Sequence, residues 1–144
     1  MITEASSRPA REEDAEAVAV LLTDLGHPTT QAQAQRRLRE ALADPNAHVL
    51  VIDGQHAVVG LLSAQVAPYF PDGSKLLRVT AIVVAASHRR KGVGKMLLER
   101  CIGIAASRGC AGVELTTAEH RAGAQRFYER LGFKRTSLRY FRAT

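Results

Sequence analysis

Residues 76–98 read LLRVTAIVVAASHRRKGVGKMLL, and the fold turns on how that stretch is parsed. Residues 76–84 are rich in Val, Leu and Ile, as a largely buried strand should be. His88-Arg89-Arg90-Lys91-Gly92-Val93 is a basic connection. Behind it Val93, Met96, Leu97, Cys101, Ile104 and Ala105 recur with the helical period, and Gly109 is placed as a C-cap. A strand, a basic glycine turn and a helix in that order make an anion site. The first amides of a helix have no intrahelical partner and carry about half a positive charge. Gly92 and Gly94 let the backbone turn tightly and approach a ligand, and Arg89, Arg90, Lys91 and Lys95 add charge. Two linked phosphates suit such a place.

Working outward toward the N-terminus, residues 57–66 and 48–52 read as two strands joined by the Asp53-Gly54 turn, a β-hairpin. Loop residues 68–74, with Pro68, Pro71 and Gly73, lead from it into the central strand. Before the hairpin, Ala34, Leu38, Ala41 and Leu42 form a helical stripe that Thr30 and Gln33 open as a capping box. An earlier stripe, Val18, Leu21, Leu22 and Leu25, ends at Gly26, and an extended opening lies around residues 6–8. Toward the C-terminus, residues 113–117 alternate as a strand. Ala124, Phe127, Tyr128 and Leu131 form a last helix closed by Gly132, and residues 133–142 read as a terminal strand. The order is β-α-α-β-β-β-α-β-α-β, a mixed α/β sheet and not a fully alternating doubly wound fold.

The 144 residues, 46% hydrophobic and 24% charged, fit one domain spanning residues 1–144. No repeat or linker divides them. The opening lacks the apolar core of a secretion signal and no apolar run approaches ~18 residues, so a soluble cytoplasmic protein is expected. Cys101 and Cys110 are too few for a disulfide scaffold. Cys101 falls on the apolar face of its helix, where burial as a small hydrophobe is expected and not nucleophilic duty. The net charge of +6 favours anionic partners without choosing among them. His27, His48 and His56 have no metal-ligand spacing, so no metal site is expected. The run Arg36-Arg37-x-Arg39 reads as a solvated helix face.

Three phosphate-binding readings compete for the glycine turn, beside that of a merely solvated basic loop. A P-loop needs a hydroxyl after its Gly-Lys pair, and here Met96 follows Gly94-Lys95. A dinucleotide fingerprint needs a third glycine where Leu97 stands, although Glu114 lies at the distance of its ribose-binding carboxylate. The third reading fits best: Arg89-x-x-Gly92-x-Gly94 after a strand resembles the signature of the GNAT superfamily of acyl-CoA-dependent N-acetyltransferases. Arg8-Pro-Ala-x-x-Glu-Asp-Ala near the start and Ala124-x-x-Phe127-Tyr128-x-x-Leu131-Gly132-Phe133 near the end resemble its opening and closing segments, so the resemblance covers nearly the whole chain.

That resemblance implies a fold in which the central strand and the next one splay apart. It also implies that backbone groups of Ile82, Val83 and Val84 bind the pantetheine arm of acetyl-CoA. The pyrophosphate then rests on Arg89, Arg90, Lys91, Gly92, Val93, Gly94 and Lys95. The Val84 amide becomes the oxyanion donor and Tyr128 the proton donor to the departing thiolate. The reaction implied is direct acetyl transfer from acetyl-CoA to a primary amine of a small molecule or peptide, with no metal, and relatives suggest a homodimer. The chain departs from the family where a glutamate often serves as base, since Arg78, Thr80 and Ala81 stand there. A neutral amine, a water held by Thr80, or Glu119 or His120 are the alternatives, in that order. Arg121 stands where asparagine is frequent, either reaching the cofactor's phosphates or solvated. Tyr69 and Phe70 either line an acceptor pocket or cap the core. A noncatalytic acyl-CoA sensor and a basic nucleic-acid-binding module are the rival functions; the 5% aromatic content and the absence of an RNP-like or helix-turn-helix pattern count against the second, so neither a nucleic-acid nor a membrane partner is expected.

Overall fold

The computed structural model describes residues 6–117 and 122–144. The chain divides into two units, one running through Glu114 and one beginning at Leu115. In the first, β1 (Ser6–Pro9), β2 (Ala47–Asp53), β3 (Val58–Tyr69), β4 (Ser74–Val84) and β5 (Gly112–Glu114) lie in that order in one sheet. The first three pairings are antiparallel and β4–β5 is parallel. Helices α1 (Ala15–Leu25) and α2 (Gln31–Leu42) precede β2, and α3 (Val93–Ser107) connects β4 to β5. The mixed α/β sheet is the one expected.

Local chemistry sets the helix ends. Gly26 closes α1 at φ 112°, and Thr30 and Gln33 close the α2 capping box with bonds of 3.1 and 3.0 Å. Gly109, at φ 69°, follows α3 and lets the Cys110 amide reach back to the Ala105 carbonyl. Val51, Leu61 and Val83 pack against Val18, Leu21, Ala34 and Leu38 of α1 and α2. On the opposite face Gly60 meets Val93 and Leu97 of α3. Each fully buried Leu or Ile in these layers contributes roughly 1.5–3 kcal/mol.

One irregularity organises β4. Ser63 pairs with Ala81 and Ala64 with Val79, so Thr80 is an extra residue, a β-bulge. Leu77, Val79, Ala81 and Val83 alternate in sequence and would share one face of a regular strand. The bulge splits them: Val83 joins the α1–α2 core, while Leu77 and Val79 pair across from Val66 and Ala64 on the other face. Thr80 donates to the Ser63 carbonyl at 3.2 Å and its hydroxyl lies 2.6 Å from that of Ser63.

Two expected strands differ. The strand over residues 113–117 is confined to Gly112–Glu114, because its parallel ladder with β4 stops at the Arg78–Glu114 pair. The terminal strand over residues 133–142 does not form; residues 133–144 have no regular structure and are largely exposed. A strand is held only by a neighbour's hydrogen bonds, and no such neighbour pairs with this segment among the described residues. The second unit contains α4 (Ala122–Arg130), closed by Gly132 at φ 91° with the Phe133 amide bonded to the Tyr128 carbonyl. Among the described residues, no helix is long and apolar enough to cross a membrane.

Candidate active site

β4 is paired with β5 only at its start, through Leu76, Leu77 and Arg78. From residue 79 onward that edge has no strand partner among the described residues. On the other edge the Ala85 amide bonds the Val59 carbonyl at 2.9 Å, and Gly60 stands opposite Val84. Antiparallel ladders alternate, so Val83 turns its amide and carbonyl toward Leu61 of β3. Ile82 and Val84 turn theirs to the open edge. The Val84 carbonyl is met there by the Arg89 guanidinium at 3.2 Å.

Beyond β4 a short 3-10 turn (Ala86–His88) leads to Arg89 in extended conformation, Arg90 at φ 62° and Gly92 at φ 84°. A Cβ at Gly92 would meet nothing within 4 Å, so glycine is needed there for conformation and not for space. Arg90 adopts the left-handed region with a side chain in place, at a cost of order 1 kcal/mol. The first helical bond of α3 runs from the Met96 amide to the Gly92 carbonyl at 3.0 Å. The amides of Val93, Gly94 and Lys95 precede it and are the unpartnered ones of the helix start. Arg89, Arg90, Lys91 and Lys95 are exposed. Lys95 has only Glu99, 3.7 Å away and equally exposed, as a counter-charge within α3. No acidic residue occurs between Asp72 and Glu99 in the sequence. A positive field, free amides and an open strand edge fit a ligand that combines a diphosphate with an amide-bearing arm.

Other singled-out residues fall as follows. Cys101 is fully buried, and burial pushes its thiol up to about 11, which removes it as a nucleophile near neutral pH. Glu114 is bonded to the Arg78 guanidinium at 2.5 Å, so it is not the free carboxylate a ribose would need. Thr80 spends its proton on Ser63, leaving only a lone pair for a water. Phe70 is 95% exposed at the β3–β4 turn and does not cap the core; Tyr69 beside it is half-exposed. Arg36 and Arg39 pair with Glu40 and Glu12, as a solvated face does. Glu119, His120 and Arg121 lie outside the described residues. In the second unit the Tyr128 ring packs at 5.4 Å from Phe127 and 6.1 Å from Phe133.

Sequence reading missed Gly60, the Thr80 bulge and the role of Arg8. Arg8 donates to both carboxylate oxygens of Asp14, at 2.9 and 2.8 Å, and to Asp53. This ties β1, the start of α1 and the end of β2 together, and gives the Arg8…Asp14 motif a structural reason.

The acetyltransferase (GNAT) family profile matches residues 14–133. The aminoalkylphosphonate N-acetyltransferase of Salmonella typhimurium is 30% identical over 94% of this chain and 89% of its own length. N-acetyltransferase 8F1 of Rattus norvegicus is 31% identical over 66% of the chain, which spans only 44% of that relative. Among solved structures, a protein described as a transcriptional regulator from Bacillus halodurans superposes with a TM-score of 0.90 at 27% identity, covering 98% of this chain and all of the other. With an unpaired strand edge running into a basic helix start and a profile match over most of its length, the chain belongs to the GNAT acetyltransferase family.

Proposed function

We propose that the protein transfers the acetyl group of acetyl-CoA directly to the primary amine of a small molecule. The observation that carries this reading is the open edge of β4, with Ile82 and Val84 turned outward, running into the free amides at the start of α3. The pantetheine arm pairs with that edge as a false strand. The pyrophosphate lies on Val93, Gly94 and Lys95 with Arg90 and Lys91 beside it.

The amine lone pair attacks the thioester carbonyl, and the charge developing on oxygen is met by the Val84 amide, a fixed dipole that needs no reorganisation. Collapse forms the amide and breaks the C–S bond. Tyr128, by its place in the closing motif, gives its phenolic proton to the thiolate. The amine arrives neutral and its surplus proton leaves to solvent, since β4 offers no carboxylate, and the Tyr128 phenolate regains a proton from solvent before the next turnover.

Aminoalkylphosphonates head the list of acceptors, because the relative that matches over most of its length is named for them and the chain's charge of +6 suits an anionic amine. The test is incubation with acetyl-CoA and a panel of amines while following thiol release. Release with one or more amines supports the proposal. Tight coenzyme A binding with no turnover on any amine replaces it with a sensor. The resemblance to a described transcriptional regulator favours a second reading, nucleic-acid binding, whose mark is affinity falling steeply with salt in the absence of coenzyme A binding. Tyr128→Phe should lower turnover with little change in coenzyme A affinity; unchanged turnover removes Tyr128 from the chemistry.

The same reading makes the working unit a homodimer, supported by the exposure of Leu138, Tyr140 and Phe141 near the C-terminus. Sedimentation at the monomer mass would remove it.

A further inference from the structure

We infer that Gly60, in the middle of the sheet, is a positioning residue that sets the spacing between the two halves of the coenzyme A site. This inference rests on the proposed acetyl-CoA reading. Gly60 has an ordinary backbone conformation, so nothing in its φ demands glycine. Space does. A Cβ there would lie 2.7 Å from Val93 Cγ1 and 3.3 Å from both Ile52 Cγ1 and Leu97 Cδ1. Real Cβ atoms essentially never sit so close to a neighbour as the first of these.

The contact cannot be relieved by a side-chain rotation. Val93 is buried to 1% and is the first residue of α3, and a β-branched side chain in a helix has one strongly preferred rotamer. Ile52 and Leu97 are fully buried on either side. The start of the helix itself must therefore lift from the sheet. A glycine inside a central strand weakens it, and the close approach of another element is the physical reason to place one there.

The consequence lies in what Gly60 joins. Its strand partner is Val84, whose amide and carbonyl face the open edge of β4. Its face contact is Val93, whose amide is among the free donors at the start of α3. One missing methyl group thus gauges the distance from the strand edge that receives the pantetheine arm to the helix end that receives the diphosphate. A ligand spanning both halves senses that distance, and a ligand occupying one half does not.

The experiment compares Gly60→Ala with the wild type against three probes: coenzyme A, pantetheine, and adenosine 3′-phosphate 5′-diphosphate. Coenzyme A affinity should fall by about tenfold, because misplacement on an ångström scale is costly for a bridging ligand. The two fragments should bind nearly as before. Gly60→Ala/Val93→Ala, which removes the offending Cγ1, should recover most of the coenzyme A affinity. Unchanged coenzyme A binding overturns the inference, as does equal weakening of all three probes, the signature of a merely destabilised domain. Where Gly60→Ala does not fold, Val93→Ile presses on the same contact from the helix side and is read in the same way. A wild type that binds no coenzyme A sinks the proposed function instead, so the two failures are distinguishable.

Discussion

Arg8 and the basic turn before α3 use the same chemistry to opposite ends. Arg8 is enclosed by carboxylates: both terminal nitrogens meet Asp14, its Nε meets Asp53, and the Arg11 amide adds a 2.7 Å bond to Asp14, a buried residue. Arg89, Arg90 and Lys91 sit together on the surface in a stretch of sequence without any acid from residue 73 to residue 98. Clustered like charges repel, and among the described residues no carboxylate pairs with these three to offset that cost. A region whose cations are matched by carboxylates holds the chain together; one whose cations are unmatched is built for an anion from outside. Breaking the first should cost stability and leave ligand affinity alone. Breaking the second should do the reverse.

The largest effect is expected from Gly92→Glu. It places a side chain at φ 84°, a penalty of about 1–2 kcal/mol, and sets a negative charge against the diphosphate's seat. Coenzyme A binding measured by calorimetry should disappear while the protein remains folded, because the space around Gly92 is empty and no core contact is lost. Retained binding would mean that the diphosphate rests elsewhere.

Asp14→Ala comes next and tests the other side. It removes one of the two carboxylates that hold the Arg8 guanidinium, leaving Asp53, and takes the side-chain acceptor from the Arg11 amide, a loss of about 1–3 kcal/mol. Denaturant unfolding should show the loss. Coenzyme A affinity measured well below the new midpoint should be unchanged, and a parallel fall in affinity would break the division between the two regions. Smaller again is Arg90→Gly, which relieves the strained φ of 62° and removes one loop cation. Stability should hold or rise by up to about 1 kcal/mol, while coenzyme A binds more weakly and with a shallower salt dependence.

What could be read without coordinates follows the same line between local and distant causes. Gly26, Thr30 with Gln33, Gly109 and Gly132 end helices through chemistry confined to a few neighbours, and each lies where its residue type foretold. The basic turn was legible because a strand, two glycines and a helix follow one another directly. The Thr80 bulge was not, since Leu77, Val79, Ala81 and Val83 alternate without interruption and only the pairing with β3 reveals the extra residue. Gly60 was hidden for a similar reason: its need for space comes from Val93, far along the chain. Residues 133–142 read as a terminal strand, but pairing requires a partner that no local pattern can supply. The partnership of Arg8 with Asp53, which brings β1 to the end of β2, is likewise invisible to spacing.

Acid supplies the smallest and most specific test. The Arg8 guanidinium, and after it the Arg11 amide, hold the Asp14 carboxyl below the usual carboxylate range, against the opposing effect of burial. A depressed native pKa means that the unfolded chain, with Asp near 3.9, binds a proton more readily than the folded one. The stability that Asp14 contributes is therefore complete above that value and is lost as pH falls through the folded pKa. His48 is held below its ordinary value by burial and by Arg108, and it erodes stability on acidification at higher pH. It does so equally in wild type and Asp14→Ala and cancels in their difference. That difference should stay level from neutrality to about pH 5 and then shrink as the carboxyl takes up its proton. The guanidinium cannot lose its charge over this range, so no other group of the pair can produce the slope. A gap that stays constant down to the acid limit would show that Arg8 does not hold Asp14 ionised, and would move the N-terminal cluster to the same side of the comparison as the loop.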